Sequence, residues 1–146
     1  MFLEELNKEE SVVFVNLVQL LANVDEVFAE NEKKLIDDYM DELSLTNENV
    51  KSLSFQEAVS ELKTSTDRIK NIIYFELVGL AISDGSYDSK EIEFLNKLAC
   101  EFNISKDKQQ DFLDYFKKVK DTYEITCVEY ESKIESLKKL ALSLLQ

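Results

Sequence analysis

Within one eight-residue stretch Asp84, Ser86, Asp88 and Glu91 offer side-chain oxygens at positions one, three, five and eight. The surrounding run, Leu80-Ala81-Ile82-Ser83-Asp84-Gly85-Ser86-Tyr87-Asp88-Ser89-Lys90-Glu91, reads as the close of one helix, a tight acidic turn and the start of another. A connection that folds back on itself brings its first aspartate and its last glutamate within reach of one small object, with backbone carbonyls between them. Oxygen donors without imidazole suit a hard divalent cation such as Ca²⁺, Mg²⁺ or Mn²⁺. The pattern is not that of an EF-hand, whose twelve-residue loop carries glycine at its sixth position and glutamate at its twelfth.

The same acidic residues also serve plain helix geometry. Asp84-Gly85 fits a helix stop with glycine in the left-handed conformation, and Asp88-Ser89-Lys90-Glu91 fits a capping box. An ungapped second copy 59 positions earlier weighs against capping alone: Leu21, Ala22, Asp25 and Glu32 stand opposite Leu80, Ala81, Asp84 and Glu91. In that copy Glu26 replaces the glycine and Ala29 replaces the capping aspartate, yet Asp25 and Glu32 persist. A joint role for the pair, either chelation or a hydrogen bond closing the turn, accounts for this. Val27 and Ala29 stand where Ser86 and Asp88 stand, so the second turn is the better cation site.

Composition narrows what such a site can belong to. The 146 residues include no proline, two glycines and 45% hydrophobic residues, which points to an all-α single domain with ample core material. Thirty acidic residues against seventeen basic ones give a net charge of −13, a surface that repels nucleic-acid phosphates and anionic lipid head groups. The absence of histidine removes the usual general base and the Ser-His and Cys-His pairs, so an enzyme is not expected. Cys100 and Cys127 lack CxxC spacing and are expected to be buried small hydrophobes in a reducing cytosol. No signal-like segment or apolar run near membrane-spanning length occurs, and a cytoplasmic protein is expected.

Helical periodicity predicts the elements that must hold the turns. A first helix runs from Ser11 to about Val24 and a second from about Glu30 to Leu43. A third, capped by Thr46 or Asn47, reaches about Leu62. A fourth begins behind Ser65-Thr66-Asp67 and is the most apolar, which places it at the centre of the core. Gly79 within it calls for a close helix approach. Glu76 lies on the edge of its stripe, and both burial and exposure fit. A fifth helix spans Ser89 to about Phe102, and a sixth follows the cap Ser105 with Phe112, Leu113, Phe116 and Val119 inward. The stretch Met1 to Glu10 reads as either a short helix or a frayed arm.

The apolar register of the second and fifth helices repeats as well: Leu35, Ile36, Leu43, Leu45 and Thr46 face Phe94, Leu95, Phe102, Ile104 and Ser105. The expected fold is a helical bundle of about seven helices built from two pseudo-repeated hairpins, residues 11–62 and 66–120, followed by a helix over 121–146. In that last helix Tyr123, Cys127, Tyr130, Ile134, Leu137, Ala141 and Leu144 form a heptad-like seam, widened by Leu140 and Leu145. A stripe this wide suits packing on its own domain, while a homodimer through this helix stays open.

An apolar helix ending in Ala81-x-x-Asp84-Gly85, then Glu91, a Phe94-Leu95 pair and a close at Phe102-x-Ile104-Ser105 resembles the TerB-like family of bacterial tellurite resistance and co-chaperone N-terminal domains. The resemblance covers roughly residues 11–120. It implies two pseudo-symmetric hairpins and a cation site at Asp84 and Glu91, with Asp25 and Glu32 in the degenerate copy. A J-domain is excluded, because its tripeptide begins with histidine. The expected function is a non-catalytic module of a stress or metal response that binds a divalent cation and a protein partner, with no organic cofactor, nucleic acid or membrane. The alternative is a metal-independent helical interaction or dimerisation module. A hydrolase using two carboxylates lacks any supporting glycine-rich loop or polar pocket signature.

Overall fold

A computed structural model describes residues 2–24, 32–46, 52–83, 89–122 and 137–145. Among these the chain is an all-α bundle, as expected: a 3₁₀ turn η1 (Leu3–Glu5), then α1 (Lys8–Ala22), α2 (Glu32–Glu42), α3 (Phe55–Glu61), α4 (Asp67–Ser83), α5 (Ser89–Glu101) and α6 (Lys106–Thr122), with a further helical stretch α7 over 137–144. Helix α1 packs against α2 and α3, and α4 packs against α5 and α6. Contacts of α1 and of η1 with α4 join the two groups.

Helix α4 lies at the centre because its apolar residues are not confined to one stripe. Ile72, Ile73, Tyr74, Phe75, Leu77, Val78 and Ala81 are all buried, which exposes α4 to neighbours on several sides. Its N-terminus is capped as expected within the Ser65-Thr66-Asp67 cluster: Thr66 Oγ1 accepts from Ile69 N at 3.2 Å. The close approach expected at Gly79 is made by α6, since a Cβ at this position would meet the Phe116 ring at 2.6 Å. Around it Phe75 stacks at 4.8 Å on Phe116 and at 5.3 Å on Tyr115.

Two expected boundaries move, each because a capping box elsewhere wins. Helix α1 begins at Lys8, earlier than Ser11, because Asn7 Oδ1 accepts from Glu10 N (2.8 Å) and Glu10 Oε1 accepts from Asn7 N (3.0 Å). The helix that closes at Glu61 begins at Phe55, and the expected cap Asn47 lies outside the described residues. Ser54 and Glu57 form its reciprocal box, and Ser52–Ser54 is not helical. There Asn16, only 3% exposed, donates from Nδ2 to Leu53 O and accepts from Leu53 N, both at 2.9 Å, pinning the chain ahead of α3 onto α1. Glu10 adds a second tie, accepting from Ser65 Oγ at 2.6 Å, so α1 and α4 begin side by side.

Helices α2 and α5 stop in the same way. Ser44 and Asn103 take positive φ, 57° and 58°, and the following residues close a Schellman-type return, Leu45 N to Met40 O at 2.8 Å and Ile104 N to Ala99 O at 2.9 Å. Ser105 then caps α6 as expected, its Oγ accepting from Lys108 N at 3.2 Å. Leu137 and Ala141 of α7, and Leu145 just after it, are buried in the common core, while Tyr123, Cys127, Tyr130 and Ile134 of the expected seam lie outside the described residues.

Candidate cation site at the acidic turns

Helix α1 closes at Ala22 and α4 at Ser83, while α2 opens at Glu32 and α5 at Ser89, so one acidic stretch lies in sequence between α1 and α2 and the other between α4 and α5. Asp25, Asp84, Ser86 and Asp88 lie outside the described residues, as does the side chain of Glu32. Of the six candidate ligands, Glu91 is therefore the one whose surroundings are defined.

Glu91 stands in the first turn of α5 and is 2% exposed, with both carboxylate oxygens buried. The reason is its register. Positions 91, 95, 98, 99 and 102 recur at helical spacing, so Glu91 continues the stripe formed by Leu95, Leu98, Ala99 and Phe102. Position 32 holds the same register to Ile36 and Met40, both buried on α2. A carboxylate in such a place costs several kcal/mol in lost hydration unless a cation, hydrogen-bond donors or a proton compensates it. The first turn of a helix supplies part of that compensation through its free N–H groups and dipole. Hydrogen-bond donors can complete it, and a hard cation bound by oxygen donors is a further way to do so. Among the described residues no group of three or more acidic or cysteine side chains gathers at metal-binding distance.

A second carboxylate sits deeper than a surface residue. Glu76 on α4 is half-buried and faces Tyr39 of α2 and Tyr115 of α6. Burial pushes both phenols above their ordinary range and the charge of Glu76 adds to the shift, with Glu42 contributing at Tyr39. The burial of Tyr115 was not expected from the sequence, although its place three residues after Phe112 was a usable signal.

Cys100, expected to be buried, is exposed. It falls on the outer stripe of α5 with Glu93, Asn96 and Lys97, all exposed, one step round the helix from the buried Ala99. Cys127 lies outside the described residues. Among the described residues no helix is long and apolar enough to cross a membrane. No protein-family model, curated protein or solved structure matches the chain.

Proposed function

We propose that the protein is a non-catalytic TerB-like module that holds a divalent cation at its second acidic turn and engages a protein partner in a bacterial stress or metal response of the tellurite type. The observation that carries this reading is the burial of Glu91 on the apolar stripe of α5. Glu91 and Asp84 would be the principal ligands, Asp88 and Ser86 would complete an oxygen set, and Asp25 with Glu32 would form the weaker copy. The equal stops at Ser44 and Asn103, 59 residues apart like the two acidic pairs, support reading the chain as a duplicated hairpin.

Thermal unfolding after chelation, with Ca²⁺, Mg²⁺, Mn²⁺ and an ionic-strength control, tests the cation. Ligand at one hundred times its dissociation constant adds about 2.7 kcal/mol of stability. A selective rise at micromolar ion that disappears in Asp84→Asn supports the site. For a chain of net charge −13, equal small rises with every salt and in both proteins would reduce the effect to screening and remove the reading.

A further inference from the structure

The segment ahead of α1 lies in the core although no regular helix carries it there. Phe2, Leu3 and Leu6 are 6%, 1% and 9% exposed, and the Phe2 ring meets Phe75 of α4 edge-on at 6.0 Å. Between them, on the outer side of the 3₁₀ turn, Glu5 receives a two-pronged bond from Arg68, Nε to Oε1 at 2.7 Å and Nη2 to Oε2 at 2.9 Å. Arg68 is the chain's one arginine. Its third nitrogen reaches Leu145 O, beyond α7, at 3.5 Å. Ile72 and Phe75 stand four and seven residues further along α4, on the same helix face as Arg68. The segment therefore occupies a groove with an apolar floor and one cationic anchor at its rim.

This seating is separable from the rest of the fold. The backbone of the segment, among the described residues, bonds only to itself, Glu5 N to Phe2 O at 3.2 Å and Leu6 N to Leu3 O at 3.1 Å. Helix α1 is closed by its own box at Asn7 and Glu10, so it keeps its N-terminal bonds when residues 2–6 leave. What holds the segment is three apolar side chains and one partly exposed ion pair. A short peptide bound in a groove is held by the same means: apolar anchors for affinity and one charge pair for register.

We propose that the α4 groove is a peptide-docking site, covered in this state by the chain's own residues 2–6, and that its partner is a short segment of the pattern aromatic-Leu-x-acidic-Leu whose carboxylate pairs with Arg68. The covering segment is an intramolecular competitor. Because it is tethered, its effective concentration keeps the groove closed, and loss of the Glu5–Arg68 pair shifts the balance toward the open state.

The test keeps the full chain and uses a fluorescein-labelled peptide of residues 2–7 as probe. Glu5→Arg sets two cations face to face and opens the groove while leaving Arg68 free for the peptide. This variant is expected to bind the probe at least tenfold more tightly than wild type, and to lose amide protection over residues 3–6 but not over α1. Adding Arg68→Glu restores a pair of reversed sign and is expected to return probe binding to the wild-type level. Should Glu5→Arg fail to fold, Glu5→Gln is expected to show the same ranking with a smaller gain. Equal probe binding by wild type and Glu5→Arg, or unchanged protection over residues 3–6, overturns the proposal. A Glu5→Arg protein that sediments as a dimer and ignores the probe overturns the partner in favour of segment exchange between two copies.

Discussion

Ser44 and Asn103 end α2 and α5 in the same left-handed conformation, φ 57° and 58°, with the same return bond to a carbonyl five residues back from the next position. They stand 59 residues apart, the same offset that separates Asp25 from Asp84 and Glu32 from Glu91. Neither is glycine, so each stop keeps a conformational cost that an L residue with a side chain bears at positive φ. Asparagine carries this cost better than serine, because its short amide bonds locally.

Ser44→Gly is accordingly expected to stabilise the protein by about 1 kcal/mol and Asn103→Gly by roughly half as much. Urea unfolding of both variants checks the ranking, and equal effects at the two positions would mean that the side chains contribute elsewhere.

Gly79→Ala sets two effects against each other. Alanine gains about 1 kcal/mol of helix propensity, and overpacking against a ring 2.6 Å from the new Cβ costs about 1–3 kcal/mol. A net loss near 1 kcal/mol is expected. In a Phe116→Leu background the same change should become neutral or stabilising, and a double-mutant cycle measures this change of sign.

Asn16→Ala leaves both Leu53 N and Leu53 O without their side-chain partner. Two lost bonds at a part-buried site are expected to cost about 2–3 kcal/mol. Hydrogen exchange should show the Leu53 amide deprotected, with the α4 amides unchanged relative to global stability.

The Glu5–Arg68 pair has a defined pH window. Hydrogen bonding from Arg68, with its charge adding, holds the Glu5 carboxyl below its ordinary value of 4.5. A depressed carboxyl contributes its stability in full above the unfolded value and loses it as pH falls through the folded one. Wild type is therefore expected to exceed Glu5→Gln by roughly 0.5 kcal/mol near pH 7 at low salt, a figure discounted for solvent screening of a partly exposed pair. The difference should vanish as the solution is taken well below pH 4.5, and shrink in molar salt at neutral pH.

Cation dependence should be unequal between the two turns. Under the cation reading, Glu91→Gln abolishes selective stabilisation by micromolar ion, whereas Glu32→Gln keeps most of it, because Val27 and Ala29 offer no side-chain oxygen in the first copy. Calorimetric titration of the chelated proteins checks both. Equal loss in the two variants would point to one site shared by both turns.

Much of the fold was legible because it is written locally. Helices α2, α4, α5 and α6 were bounded to within a few residues by apolar spacing and by caps such as Thr66 and Ser105. The glycine within α4 announced its neighbour, though not which ring would fill the space. The cap at Ser54 was not read from the sequence: it follows a segment pinned by the Asn16 bonds to Leu53, and no window around residue 50 contains those. The candidate site was legible as residue types at a spacing. That Glu91 would sit on the core side of α5 follows from the same spacing, once Leu95 and Ala99 are known to face inward.

The sequence by itself determined an all-helical chain with stops near residues 44 and 103, because helix periodicity and capping act over a few residues. Tertiary structure alone decided that Met1–Glu10, readable as a frayed arm, contributes Phe2, Leu3 and Leu6 to the core, and that Arg68 joins Glu5 and Leu145 across 63 and 77 residues. Contacts of that span leave no repeat in the sequence, and their strength depends on which surfaces the packed helices bring together.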